Sequence, residues 1–522
     1  MRWSSRWGIL LIFLWGVIVW GGSFNNNFVW DDEEQIVANQ SIHSLANLPE
    51  LWRGSTFNSG GSAQLSGMYY KPMMSSMFAV LYNLGDGKPQ IFHTFQILIH
   101  MMNASLLYWL GKRILRHDAV AWMIAMIFLV HPVNVETTVY ISALQDTMSF
   151  FWGILGLIIL TKKDHWAVYV ATSACLLLSL LTKETGILWV AITGWYLLCW
   201  EPKRWAKYLV ASTAVLGIYA YLRLGVAHVG LGKHGLAAIS TMSLGERMLS
   251  VSKIVMHYLA LVVWPAKLAI AQHWVVVTAS WWEFWWPLLG MVVVAVGGFV
   301  VGKRLRWARA YVFFVGWAGA GLLLHLQIFP LDMTVADRWL YVPLAGMLGM
   351  AGVVAVKYHR LLTREVLLVL GTVIIALSAR TIVRINQWKS GLALYKHDVQ
   401  INPNAFDLQN NLGVELYRIG RYEDARKHFE ASISLSPAWW TSYNNLGAYW
   451  EQQGELEKAG TLYKTAIDNG QYYLAYENYA RVLLKMGRES EAKEFLELSL
   501  QYLPGNMGLR ELYRRILESG DR

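Results

Sequence analysis

Long apolar runs separated by short polar ones fill most of the first 387 residues. A helix needs about 20 apolar residues to cross a bilayer. Runs of that order fall at 7–23, 90–111, 118–132, 141–160, 165–182, 186–200, 206–224, 284–302, 308–329, 337–356 and 363–380, which predicts eleven spans. Residues 247–264 are also apolar enough to span. Within them Arg247, Lys253 and His257 recur near the helical period, which predicts an amphipathic helix lying on the membrane surface instead. If 247–264 did cross, 266–282 would have to cross back, and the count would become thirteen.

From Trp388 onward the pattern is that of soluble amphipathic helices. Gly420, Gly454 and Gly487 recur at 34 and 33 residues, and Ala425, Ala459 and Ala492 keep the same period. Leu412-Gly413 and Leu446-Gly447 repeat at 34, and Pro403, Pro437 and Pro504 fall on the same rhythm. A helix–turn–helix of that length, with small residues where the helices cross, is a tetratricopeptide repeat. Three repeats are expected, about 406–437, 440–471 and 473–504. Residues 388–403 read as the second helix of a degenerate repeat, and 506–519 as a capping helix. The expected fold is all-α. A polytopic membrane part covers 1–387, with its longest outer loop at 24–89, and a tetratricopeptide α-solenoid covers 388–522.

Charge follows the same division. Residues 1–387 hold 29 Lys/Arg and 17 Asp/Glu, whereas 388–522 hold 16 and 18. The net +10 does not call for nucleic acid, because the cations sit in short clusters between apolar runs. These are Lys112/Arg113/Arg116, Lys162/Lys163, Lys203/Arg204/Lys207, Lys303/Arg304/Arg306/Arg309 and Lys357/Arg360/Arg364. Short basic loops mark the cytoplasmic side. They place the N-terminus in the cytoplasm and, with an odd number of spans, the loop 24–89 and the repeats outside. Arg2 and Arg6 precede an apolar stretch as in a signal peptide, but no clear small-residue cleavage site follows, so an uncleaved first span is expected. The plain basic loops and the absence of a retention tetrapeptide point to a bacterial inner membrane with periplasmic repeats. Cys175 and Cys199 both lie in apolar runs and suggest neither a disulfide nor a metal site. The 27 Trp suit membrane-interface belts.

Four consecutive carboxylates, Asp31-Asp32-Glu33-Glu34, follow the first span. Acidic runs are usually solvated loops. This one is flanked by Phe28 and Trp30 on one side and Ile36-Val37 on the other, beside the bilayer, where a lipid phosphate would come close. Transfer of a sugar from a phosphate leaving group needs a base on the acceptor hydroxyl and a cation on the departing phosphate. Asp31 and Asp32 are candidate bases. Lys71, in Tyr69-Tyr70-Lys71-Pro72, and Arg338, in Asp337-Arg338, are candidate phosphate contacts. Ionisable residues in apolar segments are functional candidates by default. His93 and His100 share a helix face with Asn103 nearby; they either bond to neighbouring backbone or line a cavity. His131, Glu136, Asp146, Lys183 and Glu184 are further cavity candidates, with a local ion pair as the plainer reading of Lys183-Glu184. No P-loop, dinucleotide fingerprint, HExxH or paired CxxC is present. Asn39-Gln40-Ser41 is a weak sequon, and Gly230-Leu231-Gly232-Lys233 is too short to count.

Taken in order, the acidic run, Tyr70-Lys71-Pro72, His131-Pro132, Glu136, Asp146, Lys183-Glu184, Asp337-Arg338-Trp339-Leu340-Tyr341-Val342-Pro343 and the repeats resemble the transmembrane and tetratricopeptide-repeat O-mannosyltransferases and bacterial proteins of the same architecture. The resemblance implies the C-type glycosyltransferase fold and an inverting transfer from a polyprenyl-phosphate sugar to a protein or glycan hydroxyl. By position, Asp31 or Asp32 would be the base, Lys71 and Arg338 would hold phosphate, and His131, Glu136, Asp146, Lys183 and Glu184 would shape the donor and acceptor cavity. Two departures are the extension of the acidic pair to four carboxylates and Lys71 where relatives often have Arg. Some members of the wider fold use a divalent cation here. If this loop holds one, magnesium or manganese, Asp31, Asp32 or Glu33 would be its ligands.

Three other readings compete. A ligase or polymerase of polyprenyl-diphosphate glycans would carry its long loop between late spans, whereas here it is the first loop. A membrane-anchored scaffold, assembling partners on the concave face of its repeats, would not need buried charge around a cavity. A transporter would show paired Gly/Pro-broken spans, which are not evident.

Overall fold

The computed structural model describes residues 5–56, 68–230, 235, 237–361, 363–470 and 472–520. The stretch 57–67 of the first outer loop and most of Leu231–Leu236 lie outside the described residues. Among those described, helices dominate, and the only β pairing is an isolated bridge between Gln272 and Val335.

Each of the eleven apolar runs forms a helix. They are Ser5–Trp20, Pro89–Leu115, Asp118–Val130, Leu144–Leu160, Trp166–Thr182, Ile187–Trp200, Trp205–Ala220, Trp286–Arg304, Arg309–Leu323, Tyr341–Lys357 and Arg364–Gln387. Among the described residues, six stretches are helical, long and apolar enough to cross a membrane: Arg6–Asn25, Ile141–Leu160, Pro202–Val226, Trp281–Arg304, Asp337–Lys357 and Arg364–Gln387. Small residues let these helices approach closely, as membrane interfaces favour. A Cβ built on Gly346 would meet the Ala318 backbone at 2.6 Å, and one on Gly349 would meet the Phe314 ring at 2.2 Å.

The basic clusters gather at one end of the bundle. Arg204 donates to the carbonyls of Leu160 and Lys162, Arg113 donates to that of Thr161, and the rings of His117 and His359 lie 6.3 Å apart. The acidic run, Glu136 and Arg338 lie at the other end. The chain has the plan of an integral membrane protein with its charged loops sorted by face.

Residues 247–264 form the helix Leu244–Val263, started by a capping box between Ser243 and Glu246. Arg247 is buried and donates to the carbonyls of Gln327 (2.8 Å) and Ile328 (3.1 Å). Residues 264–280 contain no helix. An irregular segment of that length cannot cross lipid, because its backbone polar groups would go unpaired. Cys175 and Cys199 are free.

The repeats fold as read: Phe406–Arg418 with Tyr422–Leu435, Trp440–Gln452 with Leu456–Asn469, and Tyr473–Lys485 with Glu489–Tyr502. Gly391–Ile401 precedes them and Met507–Gly520 caps them. Gly420, Gly454 and Gly487 take φ of +80°, +81° and +72°, so each ends the first helix of its repeat in the left-handed conformation that glycine tolerates best. Gly413 and Gly447 lie under the rings of Phe429 and Tyr463, close enough that a Cβ would collide.

The repeats are fastened to the bundle. Arg384, at the end of the last apolar helix, grips Asp398 with both guanidinium nitrogens at 2.7 and 3.0 Å, and both residues are buried. Asp398 also accepts the backbone N–H of Ile270 at 2.8 Å. His273 meets Asp407 at 2.7 Å. The helix Gly391–Ile401 is therefore held against the last apolar helix, and both it and the first repeat are held against the irregular segment 264–280.

Candidate active site

The acidic run sits where bundle and repeats meet. Trp30 has φ of +55°, a left-handed conformation that costs a bulky residue on the order of 1–3 kcal/mol. Its N–H donates to the Tyr395 hydroxyl at 3.0 Å, which helps hold the turn. The turn sends the next two carboxylates to different places.

Asp32 is fully buried. Its Oδ1 accepts the Ser142 N–H at 2.7 Å and the Ser142 hydroxyl at 2.6 Å, and its Oδ2 accepts the Val29 N–H at 3.1 Å. Burial pushes its carboxyl up to about 7 against the pull of these donors. Asp32 is a clasp between the first loop and the start of Ile141–Leu160. Asp31 is half-buried, and its N–H donates to the Tyr140 hydroxyl at 3.3 Å. Burial raises its carboxyl above the usual range, opposed by the Tyr140 hydroxyl and the charge of Arg338. Glu33 is held by Arg418 of the first repeat at 2.7 and 2.5 Å. Glu34 stands exposed at the rim.

Asp31 lines two adjoining cavities. One, of about 550 Å³, lies toward the bundle and is bounded by Tyr140, Asp332, Arg338 and His273. The other, of about 770 Å³, lies toward the repeats and is bounded by Glu34, Asn411, Glu415 and Tyr473. Trp30, Asp31, Asp407, Trp439 and Trp440 border both.

Of the sequence candidates, Asp31 and Arg338 line the bundle-side cavity; Lys71, Glu136, Asp146, Lys183 and Glu184 do not border it but are linked by charge to Arg338 or to one another. Buried Glu136 accepts the Arg338 N–H at 3.0 Å and pairs with its guanidinium. Lys71 is only 7% exposed and its ammonium lies 4.2 Å from the centre of the Tyr69 ring. Among the described residues it closes no ion pair. Burial lowers its affinity for a proton, and Glu184, Lys183, Asp146 and Asp31 all lie near enough to bias it. Lys183 and Glu184 do not pair with each other. Lys183 binds Asp146 at 2.5 Å, and Glu184 faces Arg223 at 3.4 Å while accepting the Tyr70 N–H at 3.0 Å. The local ion pair read from their adjacency is thus replaced by two longer-range ones.

The histidine candidates are held by backbone. His93 bonds to the Asn26 carbonyl at 3.1 Å and His131 to the Val262 carbonyl at 3.0 Å; both are buried and, like Lys71 and Glu136, border neither cavity. His100 bonds to Tyr341 and the Leu129 carbonyl. These histidines satisfy backbone and ring partners instead of lining the site. Asn39 of the weak sequon is buried, with its side-chain oxygen on the Ser41 N–H.

The donor set does not suit a divalent cation. Both Asp32 oxygens are taken by N–H and O–H donors, and Glu33 is held by arginine. Among the described residues, no three His, Cys, Asp or Glu side chains converge on one point. A hard cation needs several oxygen ligands together.

Sequence reading missed Tyr140, Arg223, Asp332, Arg418 and the aromatic residues that begin the repeats. One signal was available. Phe406, Trp440 and Tyr473 recur at 34 and 33 residues, an aromatic period laid over that of the glycines.

Fold and site together define a polytopic helical membrane protein whose tetratricopeptide repeats close over an acidic cavity. Comparison with known proteins agrees. Tetratricopeptide repeat families match residues 410–473 and 473–505. The chain is similar to Protein O-mannosyl-transferase F38B6.6 of Caenorhabditis elegans, 23% identical over 446 residues, which is 83% of this chain and 63% of that protein. It is similar to Protein O-mannosyl-transferase TMTC3 of Mus musculus and of Homo sapiens, each 22% identical over 84% of this chain and 52% of theirs. These matches bear out the resemblance drawn from the ordered motifs. The chain spans between about half and two thirds of the length of these relatives.

Proposed function

We propose that this protein transfers a sugar, mannose by analogy with its relatives' names, from a polyprenyl-phosphate donor to a protein hydroxyl on the outer face of the membrane. The observation that carries the reading is the position of Asp31. It is the one carboxylate of the acidic run that borders both cavities, while Asp32 and Glu33 are occupied elsewhere. In this reading residues 1–387 form a C-type glycosyltransferase domain, 388–522 form the repeat domain, and the protein sits in a bacterial inner membrane with its repeats in the periplasm. The clustering of basic loops at the opposite end from Asp31 supports that orientation.

The donor's phosphate enters beside Lys71 and Arg338, with its lipid tail toward the bilayer. Lys71 is the more available cation, because Arg338 is already held by Glu136. The Asp31 carboxylate removes the proton from the acceptor hydroxyl. The acceptor oxygen attacks the anomeric carbon from the face opposite the phosphate, and the bond between that carbon and the phosphate oxygen breaks. Polyprenyl phosphate leaves with the electron pair and its charge is met by Lys71 and Arg338. The attack inverts the anomeric configuration. The raised affinity of Asp31 for a proton suits a base, since a more basic carboxylate accepts the proton more readily.

The test uses purified protein, a panel of polyprenyl-phosphate sugars and a Ser/Thr peptide. Donor consumption is followed together with the anomeric configuration of the product. Inverted glycopeptide from the wild type and none from Asp31→Asn is the expected result. A product of retained configuration, or full turnover by Asp31→Asn, would overturn the mechanism.

A further inference from the structure

The repeat-side cavity has a construction of its own. The face that the repeats turn to the two adjoining cavities carries aromatic side chains at the start of successive repeats: Phe406 on the bundle-side cavity, Trp440 on both, and Tyr473 on the repeat-side cavity. Each opens the first helix of its repeat. Neighbouring helices pack roughly 10 Å apart, and an extended chain advances about 3.3 Å per residue, so one rung serves about every third residue of an extended polymer. All three border a cavity that Asp31 also borders.

Charge sharpens the picture. The carboxylates on this cavity are Asp31, Glu33, Glu34, Asp407 and Glu415, and the one cation among the lining residues is Arg418. Arg418 is already engaged by Glu33 and Glu415, and Asp407 by His273. The groove is left with an excess of negative charge. Amides complete it. Asn411 borders the cavity, and behind it Asn410 bonds to Asn445 at 2.9 Å and Asn444 to Asn478 at 2.8 Å, a row carried from repeat to repeat.

We propose that this groove binds the acceptor as an extended, unfolded polypeptide segment whose hydroxyl residue is flanked by lysine or arginine. This rests on the transferase reading above. Two linear polymers could follow a row of aromatic rungs, a polypeptide or a glycan. The acidic lining favours the polypeptide, because it attracts a cationic chain and offers a neutral glycan no long-range pull. Side-chain amides complement the N–H and C=O groups that an extended backbone leaves free. A cavity of about 770 Å³ is too small to admit a folded acceptor domain, so the segment that reaches Asp31 has to be unfolded. The repeats thus act as part of the active-site wall.

The experiment measures binding apart from transfer. Full-length protein in detergent, without donor, is titrated with a fluorescent Ser/Thr/Gly peptide of roughly twelve residues, long enough for about 40 Å of extended chain. The peptide carries lysine flanks in one version and glutamate flanks in a second. A neutral linear oligosaccharide of matched length is the third probe. The lysine peptide should bind at least about tenfold more tightly than the glutamate peptide, with the preference shrinking as salt rises. Trp440→Ala with Tyr473→Ala should weaken it about tenfold or more. Trp440→Phe with Tyr473→Phe, which keeps the rings, should restore most of the affinity and guards against a misfolded alanine variant. Equal binding of the two peptides, tighter binding of the oligosaccharide, or indifference to both alanines would overturn the proposal. Peptide binding as described with no transfer from any donor would leave the groove standing and defeat the transferase reading. Transfer that ignores peptide charge and both aromatic residues would do the reverse.

Discussion

Arg418, on the first helix of the first repeat, grips Glu33 with both guanidinium nitrogens, two residues along the chain from Asp31. The contact joins residues 385 positions apart and ties the acidic loop to the repeats. Both side chains are partly exposed, so the pair is worth only about 0.2–1 kcal/mol of stability. Its effect should appear in function. Arg418→Ala is expected to leave the melting temperature in detergent almost unchanged while raising KM for the peptide acceptor. The charge-swapped double variant, Glu33→Arg with Arg418→Glu, should recover most of that loss. A recovered KM in the double variant is the decisive reading.

Asp31 and Asp32 should separate cleanly. Asp31→Asn should lower kcat by about 10²–10⁴, the usual worth of a positioned base, with the melting curve intact. Asp32→Ala leaves two N–H groups and a hydroxyl without their acceptor in a buried place, each costing roughly 1–3 kcal/mol. It should melt well below the wild type. Equal melting of the two variants would argue against the division of roles.

Chelation offers a third check. Because the carboxylates of the acidic run point to different partners, excess EDTA should leave turnover unaltered. Loss on chelation, restored by magnesium or manganese alone, would mean that the loop rearranges around a cation.

The joint between bundle and repeats should respond to pH. Burial works against a charge on His273, and the Asp407 carboxylate overrides it, so the folded pKa is raised above the ordinary imidazole value. The unfolded value is about 6.5. Protonated His273 therefore stabilises the joint fully below about that pH, and the contribution fades as pH rises through the higher folded value. Limited proteolysis at the joint should accelerate on going from acid to alkaline buffer. His273→Gln should cut at a rate that no longer depends on pH in this range.

The Arg384–Asp398 pair should behave differently, because both partners are buried. Asp398→Ala strands a buried guanidinium and should cost roughly 3–5 kcal/mol. Replacing both residues with apolar ones of similar volume should recover much of the loss. Release of the repeats to protease in the single variant, and not in the double, is the expected pattern.

Much of this protein is legible in its chain. Apolar runs near bilayer length located eleven helices, because a lipid-facing helix must be apolar along its whole length. The 34-residue rhythm of Gly420, Gly454 and Gly487 located the repeats, because a left-handed helix end and a close crossing both select glycine. These are local or periodic constraints, and a periodic constraint writes itself into sequence. Partnership across the fold does not. Nothing in the chain tells Asp31 from Asp32. The tertiary structure separates them by bringing Ser142 to one and two cavities to the other. Lys183 and Glu184 are adjacent, yet they pair with Asp146 and Arg223, since the extended backbone at Lys183 sends neighbouring side chains to opposite sides. Arg418 gave no sign of function, because its partner lies 385 residues away. The sequence determined which elements exist and which residues carry charge into an apolar setting. Only the packed structure decided which charges neutralise one another and which carboxylate of the acidic run borders both cavities.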